Sequence, residues 1–115
     1  MEQRAGHRLA IEENVRFTVG TESDSVDAIV LDMSFSGAFV RTRSQPSAFS
    51  DIQLHWTQDD ADRASQSIVA ARVVRQSSDG FGIEWADFAP REVCVRLNRH
   101  WLRETLNKLP PLARS

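Results

Sequence analysis

The chain has 115 residues, of which 41% are hydrophobic and 26% are charged, and its formal net charge is −2. This length and composition predict one small globular domain with a single core and leave no room for a second domain. The slightly negative charge excludes a broad basic field, so we expect no binding to nucleic acid or anionic membranes through bulk charge, and any anion site must be local.

The N-terminal segment, residues 1–8, lacks apolar periodicity and is predicted to be a flexible arm. It is polar, and no signal-type apolar region follows it, nor is there an apolar run of about eighteen residues anywhere in the chain. We therefore expect a cytoplasmic protein without membrane insertion. The single cysteine, Cys94, excludes an internal disulfide and a cysteine-based metal site.

Six strand patterns follow the arm, joined by short, turn-like connections. They cover residues 9–19, 26–33, 38–43, 49–56, 67–75 and 81–85. The first alternates apolar and polar residues, with a break at residues 12–14. Because no helical segment separates the strands, the pattern predicts an antiparallel barrel or sandwich rather than a parallel sheet. The larger aromatic residues are predicted to lie in the core rather than to stack on a ligand: Phe17, Phe39, Phe81, Trp85 and Trp101.

From Pro90 onward the apolar period becomes that of a helix. Its apolar face comprises Val93, Leu97, Trp101, Leu102, Leu106 and Leu109. Asp87 is the predicted N-cap, and Pro110 with Pro111 marks the end of the helix. The helix is predicted to pack on the barrel or to close one of its mouths, so that the domain spans residues 9–109 and residues 110–115 form a frayed tail.

Two short motifs carry the candidate binding residues. Arg4 and Arg8 place two guanidinium groups on a glycine-containing segment, where both can pair bidentately with phosphate or stack on a base. Asp32 and Ser34 follow at the end of the second strand, with side chains on the same side if the chain stays extended, and Gly37 comes three residues later. A carboxylate can accept hydrogen bonds from guanine N1 and N2, so the two motifs together predict a site for a guanine nucleotide.

These residues resemble the signature of the PilZ family, R-x-x-x-R followed by [D/N]-x-S-x-x-G. Arg4 and Arg8 match the first element, and Asp32, Ser34 and Gly37 match the second. The resemblance implies a mainly β fold, a six-stranded antiparallel β-barrel with a C-terminal α-helix packed on it. It also implies that the ligand is the bacterial second messenger cyclic di-GMP and that these five residues bind it.

Three further residues are candidates for positions near the ligand. Gln3 stands just before the first motif arginine, at a position that in the family influences whether one cyclic di-GMP or a stacked pair binds, and both stoichiometries stay open. His7 lies between the two arginines. Arg41, on the strand after the glycine, adds positive potential beside the site.

The resemblance implies a receptor or adaptor, in which cyclic di-GMP orders the N-terminal arm and an unidentified output protein reads the changed surface, in processes such as motility and biofilm formation. We expect a monomer or weak dimer, no metal, and no enzyme, because a nucleophilic serine needs a base within reach and the histidines lie in unrelated contexts. Two alternatives stay open. One is a PilZ-like interaction module with weak or no nucleotide binding, and the other is a small barrel that binds single-stranded nucleic acid.

Overall fold

Six antiparallel strands close into a barrel in the computed structural model, which describes residues 8–21, 24–56, 68–88 and 90–108. The elements are β1 (Leu9–Val19), β2 (Val26–Met33), β3 (Gly37–Arg41), β4 (Asp51–Trp56), β5 (Ile68–Gln76), β6 (Gly80–Trp85) and α1 (Arg91–Lys108). Around the barrel the order is β1-β2-β3-β6-β5-β4, and β4 pairs with β1 to close it. The predicted barrel with a C-terminal helix is confirmed. Most of the predicted arm, residues 1–7, and the predicted tail lie outside the described residues.

Alternation of apolar and polar residues fills the barrel interior, because successive side chains of a strand point to opposite faces. In β1 every second residue from Leu9 to Phe17 is buried. Phe17 meets Phe81 of β6 edge-on across the interior, with ring centroids 5.3 Å apart. The interior residues of all six strands form one hydrophobic cluster, which also contains Val93 and Leu97 of α1. The helix therefore completes the core.

A β-bulge in β2 reverses the direction in which the end of that strand points its side chains. The pairing of β2 with β3 shifts register between Val30 and Asp32. Val30 and Met33 are both fully buried, so two consecutive residues, Leu31 and Asp32, are left between them on the outside of the barrel. Strict alternation would have placed Asp32 on the inside with Val30. The extra residue of the bulge thus puts the motif carboxylate on the outer surface.

The helix begins later and packs over a shorter length than its sequence suggests. The carbonyl of Pro90 accepts the hydrogen bond of the Cys94 N–H at 2.9 Å, so the predicted N-cap at Asp87 is wrong. Only the first turns of α1 face the core. An 18-residue helix is about 27 Å long, and the second half extends beyond the surface that it packs against. Trp101 is consequently 54% exposed, and its predicted place in the core is also wrong.

A buried polar network joins α1 to β1. Arg96, only 1% exposed, donates from Nη1 to Glu13 Oε1 at 2.9 Å and from Nε to Glu92 Oε2 at 2.6 Å. The other oxygen of Glu13 lies 2.5 Å from His100 Nε2, and the guanidinium of Arg96 stacks over the Trp56 ring at 4.5 Å. Glu13 is the inward residue in the stretch where the sequence pattern of β1 breaks. The break therefore marks a buried carboxylate that binds the helix.

Candidate functional site

The D-x-S-x-x-G motif forms the turn between β2 and β3. The N–H of Ser34 donates to the Gly37 carbonyl at 2.8 Å, which closes the turn. Ser34 Oγ accepts hydrogen bonds from the N–H groups of Ser36 at 3.2 Å and Gly37 at 3.3 Å. Ser34 is only 1% exposed. Its hydroxyl therefore satisfies the backbone of the turn, as serine commonly does in such positions.

Strand β6 fixes this turn in place. Trp85 donates twice to it, from the indole Nε1 to the Ser34 carbonyl and from the backbone N–H to the Ser36 carbonyl, both at 3.0 Å. Gly37 allows the close approach, because a Cβ at this position would lie 2.0 Å from the carbonyl oxygen of Ile83. The turn is thus held against β6 by two hydrogen bonds and a glycine contact.

Replacing Ser34 with alanine is expected to destabilise the free protein by about 1–3 kcal/mol, because it leaves the N–H groups of Ser36 and Gly37 without their shared acceptor. Urea unfolding without nucleotide measures this loss. Ser78→Ala is the control, since Ser78 is exposed in the β5–β6 connection. Equal stability of the two variants would show that the Ser34 hydroxyl has no structural role and would leave ligand contact as its only function.

An ion pair stands beside the turn on the outside of the barrel. Arg8 Nη1 donates to Asp32 Oδ1 at 2.7 Å, and the two side chains are 39% and 33% exposed. The second oxygen of Asp32 has no hydrogen-bond partner among the described residues. Asp32 can thus hold Arg8 and still accept a hydrogen bond from a ligand. The remaining N–H groups of Arg8 can likewise donate to an anion.

A row of outward-facing residues continues from this ion pair across the barrel wall. Asp32 pairs with Phe39 of β3, Phe39 with Gly82 of β6, and Gly82 with Arg75 of β5. The guanidinium of Arg75 lies over Gly82, since a Cβ there would be 3.2 Å from its terminal nitrogen. Two strand spacings, about 10 Å, separate Gly82 from Asp32. The half-buried Phe39 lies between the Asp32 carboxylate at one end of the row and the Arg75 guanidinium at the other.

The structure brings some of the predicted site residues together and separates others. Arg8 and Asp32 are in direct contact, while Ser34 and Gly37 form the adjacent turn. Because β2 ends at Met33, the chain is not extended through Ser34, and its hydroxyl does not share the outer face with the Asp32 carboxylate. Arg41 is exposed two residues from Phe39, opposite Gly80. The remaining candidates, Gln3, Arg4 and His7, lie outside the described residues.

Sequence reasoning missed two members of the row. The sequence pattern predicts Phe39 in the core, but its neighbours Ala38 and Val40 are the inward residues, so the ring faces out. Arg75 was not singled out, because its place opposite Gly82 depends on a register shift between Val73 and Arg75. The available signal was the glycine itself, since an outward glycine in a strand marks a place where another group approaches closely.

Within residues 8–21, 24–56, 68–88 and 90–108, no three His, Cys, Asp or Glu side chains are grouped as a metal site would require. Over the same ranges, no helix has the length and apolar character that crossing a bilayer demands.

Comparisons with known proteins concern the family and the fold of the chain. A family model described as PilZ domain matches residues 2–102. Among solved structures, the crystal structure of the PilZ domain of CeSA from a cellulose-synthesizing bacterium superposes with a TM-score of 0.62, covering 86% of this chain and 99% of that one. The sequence identity is 18%, so this likeness concerns the fold. No curated protein matches the chain.

Proposed function

The chain belongs to the PilZ family, whose members bind cyclic di-GMP, and we propose on this premise that it is a cytoplasmic cyclic di-GMP receptor with its site on the outer row described above. The observation that carries the proposal is the contact between Arg8 and Asp32. It joins the last residue of the first motif to the first residue of the second, although they are 24 positions apart in the chain.

Each motif residue has a role in this proposal. The Asp32 carboxylate accepts from the N1 and N2 donors of a guanine, while Oδ1 also keeps its contact with Arg8. Arg8, held by Asp32, directs its remaining donors to a phosphate, and Arg4 adds a second guanidinium from the arm. Ser34 and Gly37 contribute by fixing the turn beside the guanine.

The rest of the row extends the surface that the ligand covers. Phe39 offers a half-buried ring beside Asp32, and Arg75 offers a guanidinium over Gly82. A planar guanidinium can stack on a nucleobase as well as donate to phosphate. Gln3, His7 and Arg41 are proposed to lie at the margin of the site. One ligand molecule or a stacked pair would both fit this description.

Signal transmission follows from the position of Arg8 at the start of β1. We propose that the ligand draws the arm, residues 1–8, onto the barrel and that an output protein recognises the closed form. Ordering the arm costs part of the binding free energy, as for any segment that orders on binding. Each charge-assisted hydrogen bond contributes about 1.5–3 kcal/mol, which corresponds to a factor of about ten or more in affinity.

Isothermal titration calorimetry with cyclic di-GMP tests the proposal. We expect selective binding to the wild type, a loss of about tenfold or more in Arg8→Ala, and a similar loss in Asp32→Asn. The matched control is the pair Arg16 and Asp27, which also joins β1 to β2, at 3.1 Å, but lies far along the strands from the motif turn. Arg16→Ala and Asp27→Asn should therefore bind like the wild type.

The titration also separates the alternatives and gives the stoichiometry. GTP and a short single-stranded oligonucleotide are titrated beside the dinucleotide. Binding to the oligonucleotide alone would favour a nucleic-acid-binding barrel. No heat and no thermal stabilisation with cyclic di-GMP would reject the receptor and favour a protein-interaction module. Equal losses in Arg8→Ala and Arg16→Ala would place the site elsewhere on the barrel.

A further inference from the structure

The outer face of α1 carries large apolar side chains that no other described element covers. Val95 is 44% exposed, Trp101 54%, Leu102 46% and Leu106 63%. At 3.6 residues per turn, Val95, Leu102 and Leu106 fall within about 40° of one another around the helix axis. They form a stripe on the side away from the barrel. We call this stripe with Trp101 the α1 face.

A groove runs along one side of the α1 face. Its volume is about 670 Å³, and its lining is mostly apolar, with Leu9 from β1, Phe35 from the motif turn, and Val95, Leu97 and Trp101 from α1. A groove between a helix and a turn can receive apolar side chains that project from a second helix. Contiguous exposed apolar side chains, unlike singly scattered ones, are typical of an interaction site.

The groove adjoins the nucleotide site through the backbone. Leu9 follows Arg8, and Phe35 stands between Ser34 and Ser36 in the turn. A change in the position of Arg8 or in the turn therefore moves a lining residue of the groove. This proximity gives the two sites a physical connection.

The charge of the helix indicates the chemistry of the partner. Helix α1 has five basic and two acidic residues, a formal charge of +3, whereas the whole chain carries −2, which leaves −5 for the rest. Arg99 and Arg103 are exposed and lie about 40° and 80° from Val95 around the axis, so they border the stripe on the side away from the groove. The α1 face is thus apolar with one basic edge.

A second copy of this chain does not complement that edge. Of the two acidic residues of α1, Glu92 is bonded to the buried Arg96. Glu104 lies about 180° from Val95 around the helix axis. Two copies would bring basic edges together with no acidic residue of the face to pair with them. An anionic membrane would be repelled by the rest of the domain, which carries a net negative charge.

We propose that the α1 face binds an amphipathic helix of the output protein, whose apolar residues cover the stripe and reach Trp101 at the edge of the groove and whose Asp or Glu residues pair with Arg99 and Arg103 on the opposite edge of the stripe. The identification of this partner as the output protein rests on the function proposed above, whereas the chemistry of the surface does not. Binding of cyclic di-GMP changes the affinity of the α1 face for the partner helix through Leu9 and Phe35.

Two designed peptides test the surface by fluorescence anisotropy with the full chain. Both are 18-residue amphipathic helices with the same leucine stripe, flanked by glutamate in one and by lysine in the other. The glutamate peptide should bind and the lysine peptide should not. Trp101→Ala should weaken binding at least tenfold, and Arg99→Glu with Arg103→Glu should reverse the preference between the peptides. Arg43→Glu, an exposed arginine outside α1, is the control and should change neither.

Several outcomes would overturn the proposal. These are equal binding of the two peptides, an unchanged affinity in Trp101→Ala, a dimer in sedimentation velocity that Leu102→Glu dissolves, or binding to phosphatidylglycerol vesicles without peptide selectivity. Calorimetry with cyclic di-GMP on Trp101→Ala separates this proposal from the receptor function, since that variant should bind cyclic di-GMP with the affinity of the wild type. Saturating dinucleotide should change the peptide affinity about fivefold or more, and no change would overturn the assignment to the output protein.

Discussion

Replacing Arg96 with alanine is expected to lower the free energy of unfolding by about 3–5 kcal/mol, because it removes the arginine that pairs with the buried Glu13 carboxylate. Glu13 is 6% exposed and accepts from Arg96 at 2.9 Å. The substitution also removes the guanidinium that stacks on Trp56. A domain of this size has a total stability of about 5–15 kcal/mol, so the expected loss is a large part of it.

Urea unfolding followed by circular dichroism measures this loss. Arg99→Ala is the matched control, since Arg99 is an exposed arginine on the same helix, and its removal should change stability by less than about 0.5 kcal/mol. The double variant Glu13→Leu with Arg96→Met should recover most of the loss, because apolar residues of similar volume can replace a buried ion pair. A loss in Arg96→Ala no larger than in Arg99→Ala would contradict the buried network.

Replacing Gly37 with alanine is expected to destabilise the barrel by about 3 kcal/mol or more, the upper part of the range for overpacking. The added Cβ would lie 2.0 Å from the Ile83 carbonyl oxygen, so the backbone of β3 or β6 must shift. Gly80, at the other end of the same strand pair, has an equal conflict with the Val40 carbonyl and should behave alike. Both variants should show a lowered Tm without any ligand.

Gly82→Ala is the control for these variants. It belongs to the same strand pair, but its Cβ would approach only the flexible Arg75 side chain, at 3.2 Å. Its stability should stay close to that of the wild type. If Gly37→Ala were as stable as Gly82→Ala and nevertheless failed to bind cyclic di-GMP, the motif glycine would serve the ligand directly rather than the closure of the barrel.

The sequence predicted the strands well, because most of them show the burial of one face as alternation and β2 shows a continuous β-rich run. The bounds of β1 and β2 agree with the structure at both ends. The helix was harder to predict, because its apolar residues belong to two different surfaces, the core and the α1 face. Val93 and Leu97 enter the core, whereas Leu102 and Leu106 continue the pattern in solvent. Periodicity alone does not distinguish a core from a surface that another molecule covers.

The candidate site shows the same limit of sequence-based prediction at the level of single residues. The two motifs and their resemblance to a family signature identified Arg8 and Asp32, and the structure joins them. The outward direction of Asp32 depends on the bulge at Leu31, and the place of Arg75 depends on a second register shift. Register is a property of two paired strands, so it cannot be read from either strand alone. The role of Ser34 in the turn was likewise visible only with its backbone partners.

The three tryptophans lie at positions where their intrinsic fluorescence can report on three different events. The chain has three tryptophans and no tyrosine, so indole rings dominate its ultraviolet emission. Trp85 is hydrogen-bonded to the motif turn, Trp56 lies under the Arg96 guanidinium, and Trp101 stands on the α1 face. Each ring thus samples a different polarity and a different event. Variants that keep one indole at a time would resolve nucleotide binding, partner docking and loss of the buried network as separate fluorescence changes, without an attached dye.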